Sequence, residues 1–208
     1  MEKHIKNQPV AFKEIFIKQP TEMIFMMLLA SVRGSIHYII FSYVLLFMDT
    51  RIHIKNSMAV MSLFLLTSFF CYPLFGYLAD KCPDRIKISK NYTLFLIFWI
   101  FVLSFSSNLL WFIPCFLAIV ICYSAISSYI TSLFAEIFHE NYRMTACSLC
   151  YNLGTVFSGF SPFISELLTK ELATGFYMFL LLLGFFLYIL QDKIKDTNGY
   201  KVCIKIKT

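Results

Sequence analysis

The chain has 208 residues, of which 59% are hydrophobic, 18% aromatic and 14% charged, with a formal net charge of +6. Soluble domains carry about 25% charged residues, and disordered chains need more charge and less apolar content still, so both classes are excluded and a polytopic, all-α membrane protein remains. The length holds six spans of about 20 residues with short loops but not twelve, and the positive excess reads as membrane topology rather than a nucleic-acid partner.

Residues 1–22 carry seven charges and no long apolar core, which predicts a cytoplasmic segment and no cleavable leader. Within it, Pro9 to Lys18 has the pattern of a short amphipathic helix lying on the membrane surface, with Phe12, Ile15 and Phe16 on one face. A membrane domain is predicted over 23–191. Its first two spans are 23–48, ended by Asp49 and Arg51, and 57–78, ended by the charged loop Asp80 to Lys90. Next comes Tyr92 to Ala135, a run of 44 residues without a charge. As one helix it would be about 66 Å long, over twice the hydrocarbon thickness, so it must fold back. Ser104 to Asn108 is the polar cluster suited to a turn, which splits the run into spans 90–107 and 109–134. Spans 144–168 and 174–190 follow, then a basic tail over 192–208.

Six spans place both termini on one side. Counted that way, fourteen Lys and Arg fall on the side of the termini and three (Arg51, Lys55, Lys170) on the other, with Arg33 inside a span. The asymmetry predicts that both termini are cytoplasmic. The bilayer itself is therefore the first partner the sequence implies.

Polar residues within spans are costly and mark function or packing. Arg33 carries an insertion cost of about 2.5–3.5 kcal/mol at a span centre. His37 lies one turn on and shares its face, with Ala30, Gly34 and Phe41 in the same arc. A basic pair of this kind suits a substrate carboxylate; the alternative is an arginine paired with helix carbonyls or held near an interface. In the fifth span Ser148, Tyr151, Asn152, Thr155, Ser158, Gly159 and Pro162 read as a polar stripe, facing either a solute path or a neighbouring helix. Gly154, Gly159 and Pro162 make that helix bendable. Ser124, Ser127, Ser128 and Thr131 in the fourth span read as close packing.

Several chemistries find no support. The seven cysteines are scattered, and Cys147-x-x-Cys150 has no second pair to complete a metal site. Glu136-Ile-Phe-His139-Glu140 lacks the second histidine of a metalloprotease motif, because Arg143 stands there. Apart from Glu166 near the end of the fifth span, no acidic residue falls within a span to orient a catalytic base. The sequence therefore predicts no enzyme, no metal and no cofactor. Asn91-Tyr92-Thr93 has the form of a glycosylation acceptor but is placed on the cytoplasmic side.

Two loops carry a family likeness. Gly76-Tyr-Leu-Ala-Asp80-Lys81-Cys-Pro-Asp-Arg85 resembles the G-x-x-x-D-[RK]-x-G-[RK]-[RK] loop of the major facilitator superfamily, which follows the second span of each half. Gly76, Asp80, Lys81 and Arg85 match, whereas Pro83 and Asp84 replace a glycine and a basic residue. The second stretch contains Ala135-Glu136-Ile-Phe138, Arg143, Ser148-Leu149, Tyr151-Asn152-Leu-Gly154, Phe157, Gly159 and Pro162. It resembles the region between the tenth and eleventh spans of the metabolite:proton symporter branch, nearest to its proline/betaine type, with His139 and Phe160 as departures. Residues 9–18 are similar to that family's central loop before its seventh span.

The resemblance implies one half of a twelve-helix fold, namely the C-terminal six spans of a proton-coupled symporter in a bacterial inner membrane. It would work by alternating access on protons and a small zwitterionic or carboxylate solute such as proline or betaine. Arg33, His37, Ser148, Tyr151, Asn152 and Thr155 would line the solute path. Gly76, Asp80, Lys81 and Arg85 would form a conformational latch, in which Gly76 permits close helix approach and Asp80 pairs at a neighbouring helix end. Glu136 and Arg143 belong to the second signature loop. The partner such a half needs is an N-terminal six-span half, separately encoded. A different reading is a non-transporting remnant of a split or truncated transporter gene, or a structural membrane protein.

Overall fold

A computed structural model describes residues 19–50, 56–82, 84–105, 109–138, 143–172 and 174–194, and every regular element among them is helical. The amphipathic segment 9–18, most of the basic tail, Arg51, Lys55, Ser106 to Asn108 and His139 to Glu140 lie outside the described residues.

The first helix, α1 (Pro20–Tyr38), starts with its proline in the first turn, where the missing N–H costs no hydrogen bond. It runs without a break through a π-helical turn, Ile39–Tyr43, into α2 (Val44–Thr50). α3 is Ser57–Lys81, α4 Arg85–Ser104 and α5 Leu109–Ile137. The charge-free run thus ends α4 at Ser104 and starts α5 at Leu109, with the two helices packed side by side. The fifth apolar stretch is not one helix. It divides into α6 (Arg143–Ser158) and α7 (Ser161–Glu171) at Gly159 and Phe160, because Pro162 in the first turn of α7 has no N–H to continue the ladder of α6. α8 is Gly175–Ile194.

Five helical runs are long and apolar enough to cross a membrane: Pro20–Asp49, Ser57–Lys81, Arg85–Ser104, Trp111–Phe134 and Gly175–Ile194. The two halves of the broken stretch are each too short. Both pack on α1, and α7 extends onto the π turn, so they follow one another along a single partner.

The packing is set by pairs. α1 packs on α6 and α3 on α5; α1 packs on α8 and α4 on α5; α4 packs on α8. α5 is the central helix, with 67% of its apolar window buried, against 22% for α3. The outer faces carry Leu66, Phe69 and Phe70 on α3, Phe95, Phe98 and Phe101 on α4, and Phe185 and Phe186 on α8, all exposed. Exposed aromatics in such numbers are the lipid-facing surface of a membrane bundle.

Apolar burial separates helices from lipid only weakly, so small residues and hydrogen bonds decide which faces meet. Between α1 and the broken stretch the contact is made by Ala30 and Gly34 against Gly154 and Ser158, two small-xxx-small pairs facing each other. A Cβ on Gly34 would stand 2.6 Å from Ser158 Oγ. Ser161 Oγ donates to the Ser35 carbonyl at 3.2 Å, and Tyr43 Oη donates to Thr169 Oγ1 at 2.8 Å from the π turn. Between α4 and α8 the join is polar and buried. Gln191 Nε2 donates to Ser89 Oγ at 3.1 Å, and Thr93 Oγ1 donates to Gln191 Oε1 at 3.2 Å. Lys90 Nζ meets Asp192 Oδ1 at 2.6 Å beside this pair. Gln191→Leu should therefore lower unfolding stability by about 1 kcal/mol, since it leaves Ser89 and Thr93 with fewer partners. Denaturant titration in bicelles measures this, with Asp192→Asn changing the midpoint less because that carboxylate is mostly exposed.

Candidate functional site

Residues of helices α1, α5 and α6 line a cleft of about 320 Å³. α1 supplies Arg33, α5 supplies Thr131 and Phe134, and α6 supplies Arg143, Met144, Cys147, Ser148, Tyr151 and Asn152. The α6 residues recur at three and four positions, which is one face of a helix. Four of the six residues the sequence assigns to a solute path, Arg33, Ser148, Tyr151 and Asn152, meet here.

The other two do not line it. Thr155 Oγ1 donates to the Tyr151 carbonyl at 2.7 Å, so its hydroxyl is spent within its own helix. His37 is exposed and rests on rings, 4.8 Å from Phe41 and 5.8 Å from Tyr123 between centroids. The predicted stripe on the fifth stretch is also two faces rather than one. Ala146, Cys150, Gly154 and Ser158 are buried, with Gly154 and Ser158 against α1, while Ser148, Tyr151 and Asn152 are exposed on the cleft side, Tyr151 at its edge toward α1. At 3.6 residues per turn Ser148 and Asn152 fall well away from the buried set, while Tyr151 lies only about 20–60° from Ser158 and Gly154, at the edge between the two faces, too fine a distinction for a list of polar residues.

Arg33 sits near the middle of the 30-residue run Pro20–Asp49. Its guanidinium carbon lies 5.3 Å from the centre of the Tyr151 ring, a cation–π contact across α1 and α6. Its Nε is buried without a hydrogen-bond partner among the described residues. Tyr123 Oη donates to the Arg33 backbone carbonyl at 3.3 Å, fixing the helix here but not satisfying the guanidinium. Arg143, at the other end of the α6 face, donates from Nε to the Phe138 carbonyl at 3.2 Å. The sequence signal for Arg143 was its place in the second signature loop. Its role as a wall of the same cleft as Arg33 follows from α6 beginning at that residue and running along α1. Glu136 stands in the last turn of α5, and its side chain lies outside the described residues.

The loop after α3 is a compact clasp. Arg85 is buried and donates from Nε at 2.8 Å to the Ala79 carbonyl in the last turn of α3, which also accepts from the Cys82 N–H at 3.3 Å. Its Nη2 reaches Asp80 Oδ1 at 3.4 Å. Asp84 is the N-cap of α4, with Oδ1 accepting from the Lys87 N–H at 3.0 Å. Lys81 Nζ lies 4.2 Å from the centre of the Tyr77 ring. The expected close approach at Gly76 does not hold within this chain, because an added Cβ there meets nothing within 4 Å. Gly76→Ala should leave the thermal stability of the isolated chain unchanged or raise it by up to about 1 kcal/mol through helix propensity, as followed by melting of the detergent-solubilised protein. A fall in stability instead would place an unseen neighbour at α3.

No family model matches the chain, and no curated protein matches it.

Proposed function

We propose that this chain is the C-terminal six-span half of a proton-coupled secondary transporter of the major facilitator type, working by alternating access together with an N-terminal six-span half. The observation that carries the reading is the pattern of helix pairs. Take α6 and α7 as one kinked crossing, so that there are two successive triplets: α1 with its extension, α3 and α4, then α5, α6–α7 and α8. Exchanging the triplets converts the α1–α6 pair into α5–α3, and α1–α8 into α5–α4, and it leaves α4–α8 in place. All of these pairs occur; the α4–α5 contact is more than twice as extensive as its α1–α8 counterpart, and the α7–α8 contact has no comparable counterpart. Each triplet has three crossings, an odd number, so the two lie inverted in the membrane. Inverted repeats of three within six are how such transporters are built. Both termini are then on the cytoplasmic side, in keeping with the distribution of Lys and Arg.

The cleft supports the same reading. It is walled by the first, fourth and fifth crossings and holds an intramembrane arginine near mid-depth, where transported solutes bind. The solute is a small zwitterion or carboxylate, and Arg33, Ser148, Tyr151 and Asn152 line its path. The clasp of Asp80 and Arg85 ties the end of α3 to the start of α4. An N-terminal half would cover the exposed faces of α3 and α6.

Uptake of labelled proline, betaine and succinate in a transport-deficient bacterial host tests this. The chain is expressed alone and with a candidate N-terminal half. Accumulation driven by an inward pH gradient in the paired form supports the proposal. If neither form accumulates any of the three, although both chains are inserted, the reading is wrong, and a non-transporting membrane protein takes its place.

A further inference from the structure

We infer that the cleft between α1, α5 and α6 binds a small solute that is net anionic, with a carboxylate on the Arg33 guanidinium, and that it discriminates against zwitterions. The inference rests on the proposed location of the solute path but narrows its occupant, and it departs from the proline/betaine likeness of the sequence.

The argument begins with charge. Among its described residues the lining has two arginines, Arg33 and Arg143, and no carboxylate. A zwitterion brings an ammonium that must find an acceptor or an open aromatic face. The Tyr151 ring is already faced by the Arg33 guanidinium at 5.3 Å, and Phe134 is 7% exposed. The polar groups left are Ser148, Asn152 and Thr131, and the Thr131 hydroxyl already donates to the Ser127 carbonyl at 2.8 Å. None of these compensates a cation beside two arginines.

The second step is the unmet capacity of Arg33. A guanidinium has five N–H donors in a fork that matches a carboxylate. Nε of Arg33 is buried with no partner among the described residues, and no ion pair forms between Arg33 and any carboxylate among them. A half-buried cation in the middle of a span, with its Nε shut off from solvent and no carboxylate beside it among the described residues, is unfavourable. A carboxylate in the cleft restores both the charge balance and the hydrogen bonds. The Tyr151 ring, 5.3 Å from the guanidinium carbon, lies on one side of the fork and restricts the directions it can take.

The third step is access. α6 starts at Arg143 and reaches Tyr151 two turns later, so Arg143 stands toward the end of the crossing and Arg33 toward its middle. Arg143 raises the local concentration of anions at the mouth; Arg33 receives them. That depth favours a soluble carboxylate over the headgroup of an anionic lipid, which stays at the membrane surface.

The test uses the full chain in nanodiscs, with succinate and glycine betaine as probes. In phosphatidylcholine discs succinate should bind at least tenfold more tightly than betaine by isothermal titration. Arg33→Gln should weaken succinate at least tenfold, and Arg33→Lys less. Equal or tighter binding of betaine, or succinate binding unchanged in Arg33→Gln, overturns the inference. Phosphatidylglycerol discs form a further arm: a lipid that abolishes succinate binding at ordinary membrane content assigns the cleft to a headgroup and overturns it too. A readout that needs no change at Arg33 is the thiol of Cys147, which lines the cleft. In a variant keeping only Cys147, an anionic methanethiosulfonate should react at least tenfold faster than a cationic one, after correction for their rates with a free thiol, and succinate should slow it. A ratio near one overturns the inference. Succinate binding without uptake in any paired form leaves this site standing and refutes the transport reading instead.

Discussion

Replacing Gly154 with leucine should abolish the folded bundle. An added Cβ at this position would stand 2.6 Å from the Ala30 Cβ, 2.9 Å from the Met27 carbonyl oxygen and 2.9 Å from the Ser31 nitrogen. Two of those three atoms are backbone, so no rotamer change relieves the clash, and the helices α1 and α6 must separate. Overpacking ordinarily costs about 1–3 kcal/mol, and a clash against backbone belongs at or above the top of that range. The separation would also break the contacts that follow along the same seam: Gly34 against Ser158, and Ser161 Oγ on the Ser35 carbonyl. Fluorescence-detected size exclusion reads the outcome as loss of the monodisperse peak, with Gly154→Ala intermediate. Val156→Leu is the control, since Val156 is 64% exposed on the same helix and should tolerate the added volume. A Gly154→Leu protein as stable as the parent would mean that α1 and α6 do not meet as described.

Arg33→Leu should move stability and binding in opposite directions. On insertion scales, leucine at a span centre is favoured over arginine by about 3 kcal/mol or more. That gain is reduced here because Arg33 is only half-buried and because its cation–π contact with Tyr151 is lost, an interaction of about 0.5–2 kcal/mol. A net stabilisation of about 1 kcal/mol remains, visible as a higher midpoint in denaturant titration. Binding of a carboxylate probe should fall below detection, because leucine has neither the charge nor the N–H fork. Residues that are costly to keep and improve stability when removed mark function rather than architecture. If Arg33→Leu lowered stability along with binding, the guanidinium would be part of the helix packing, and the argument for it as the anion-binding group would fail.

Much of the architecture was legible in the sequence, because the rules that govern it are local. A charge-free run of 44 residues is longer than a bilayer is thick, so a turn between α4 and α5 follows from length alone. Arg33 stood out for the same reason: one charge in a long apolar run is unfavourable whatever surrounds it. Pro162 and Gly159 signalled a bendable fifth stretch, and the helix breaks at Gly159 and Phe160. The π turn at Ile39–Tyr43 left no signal, because its residues are ordinary helix and strand formers and the extra residue per turn is held by contacts made elsewhere, including Tyr43 on Thr169.

The site was legible only in part. Arg33, Ser148, Tyr151 and Asn152 could be picked as unusual residues for a membrane span, yet Ser158 and Thr155 looked equally suitable. Ser158 is completely buried against Gly34, and Thr155 bonds its own helix. His37 shares the face of Arg33 by spacing but rests on Tyr123 and Phe41, away from the cleft. What separates these residues is the neighbour each one faces, and spacing along one helix carries no information about that neighbour.

The sequence by itself determined the class of the protein, an all-helical chain with long apolar stretches, and the place of Arg33 within the first of them, because hydration and chain length act on each segment separately. The tertiary structure alone decided which helices pair, that Gly154 rather than Gly76 is pressed by a neighbour, and that Arg143 joins Arg33 around one cleft. Those outcomes depend on close packing between segments far apart in the chain. In a membrane that packing is selected by small residues and matched hydrogen bonds, not by hydrophobicity, which is nearly the same on every face.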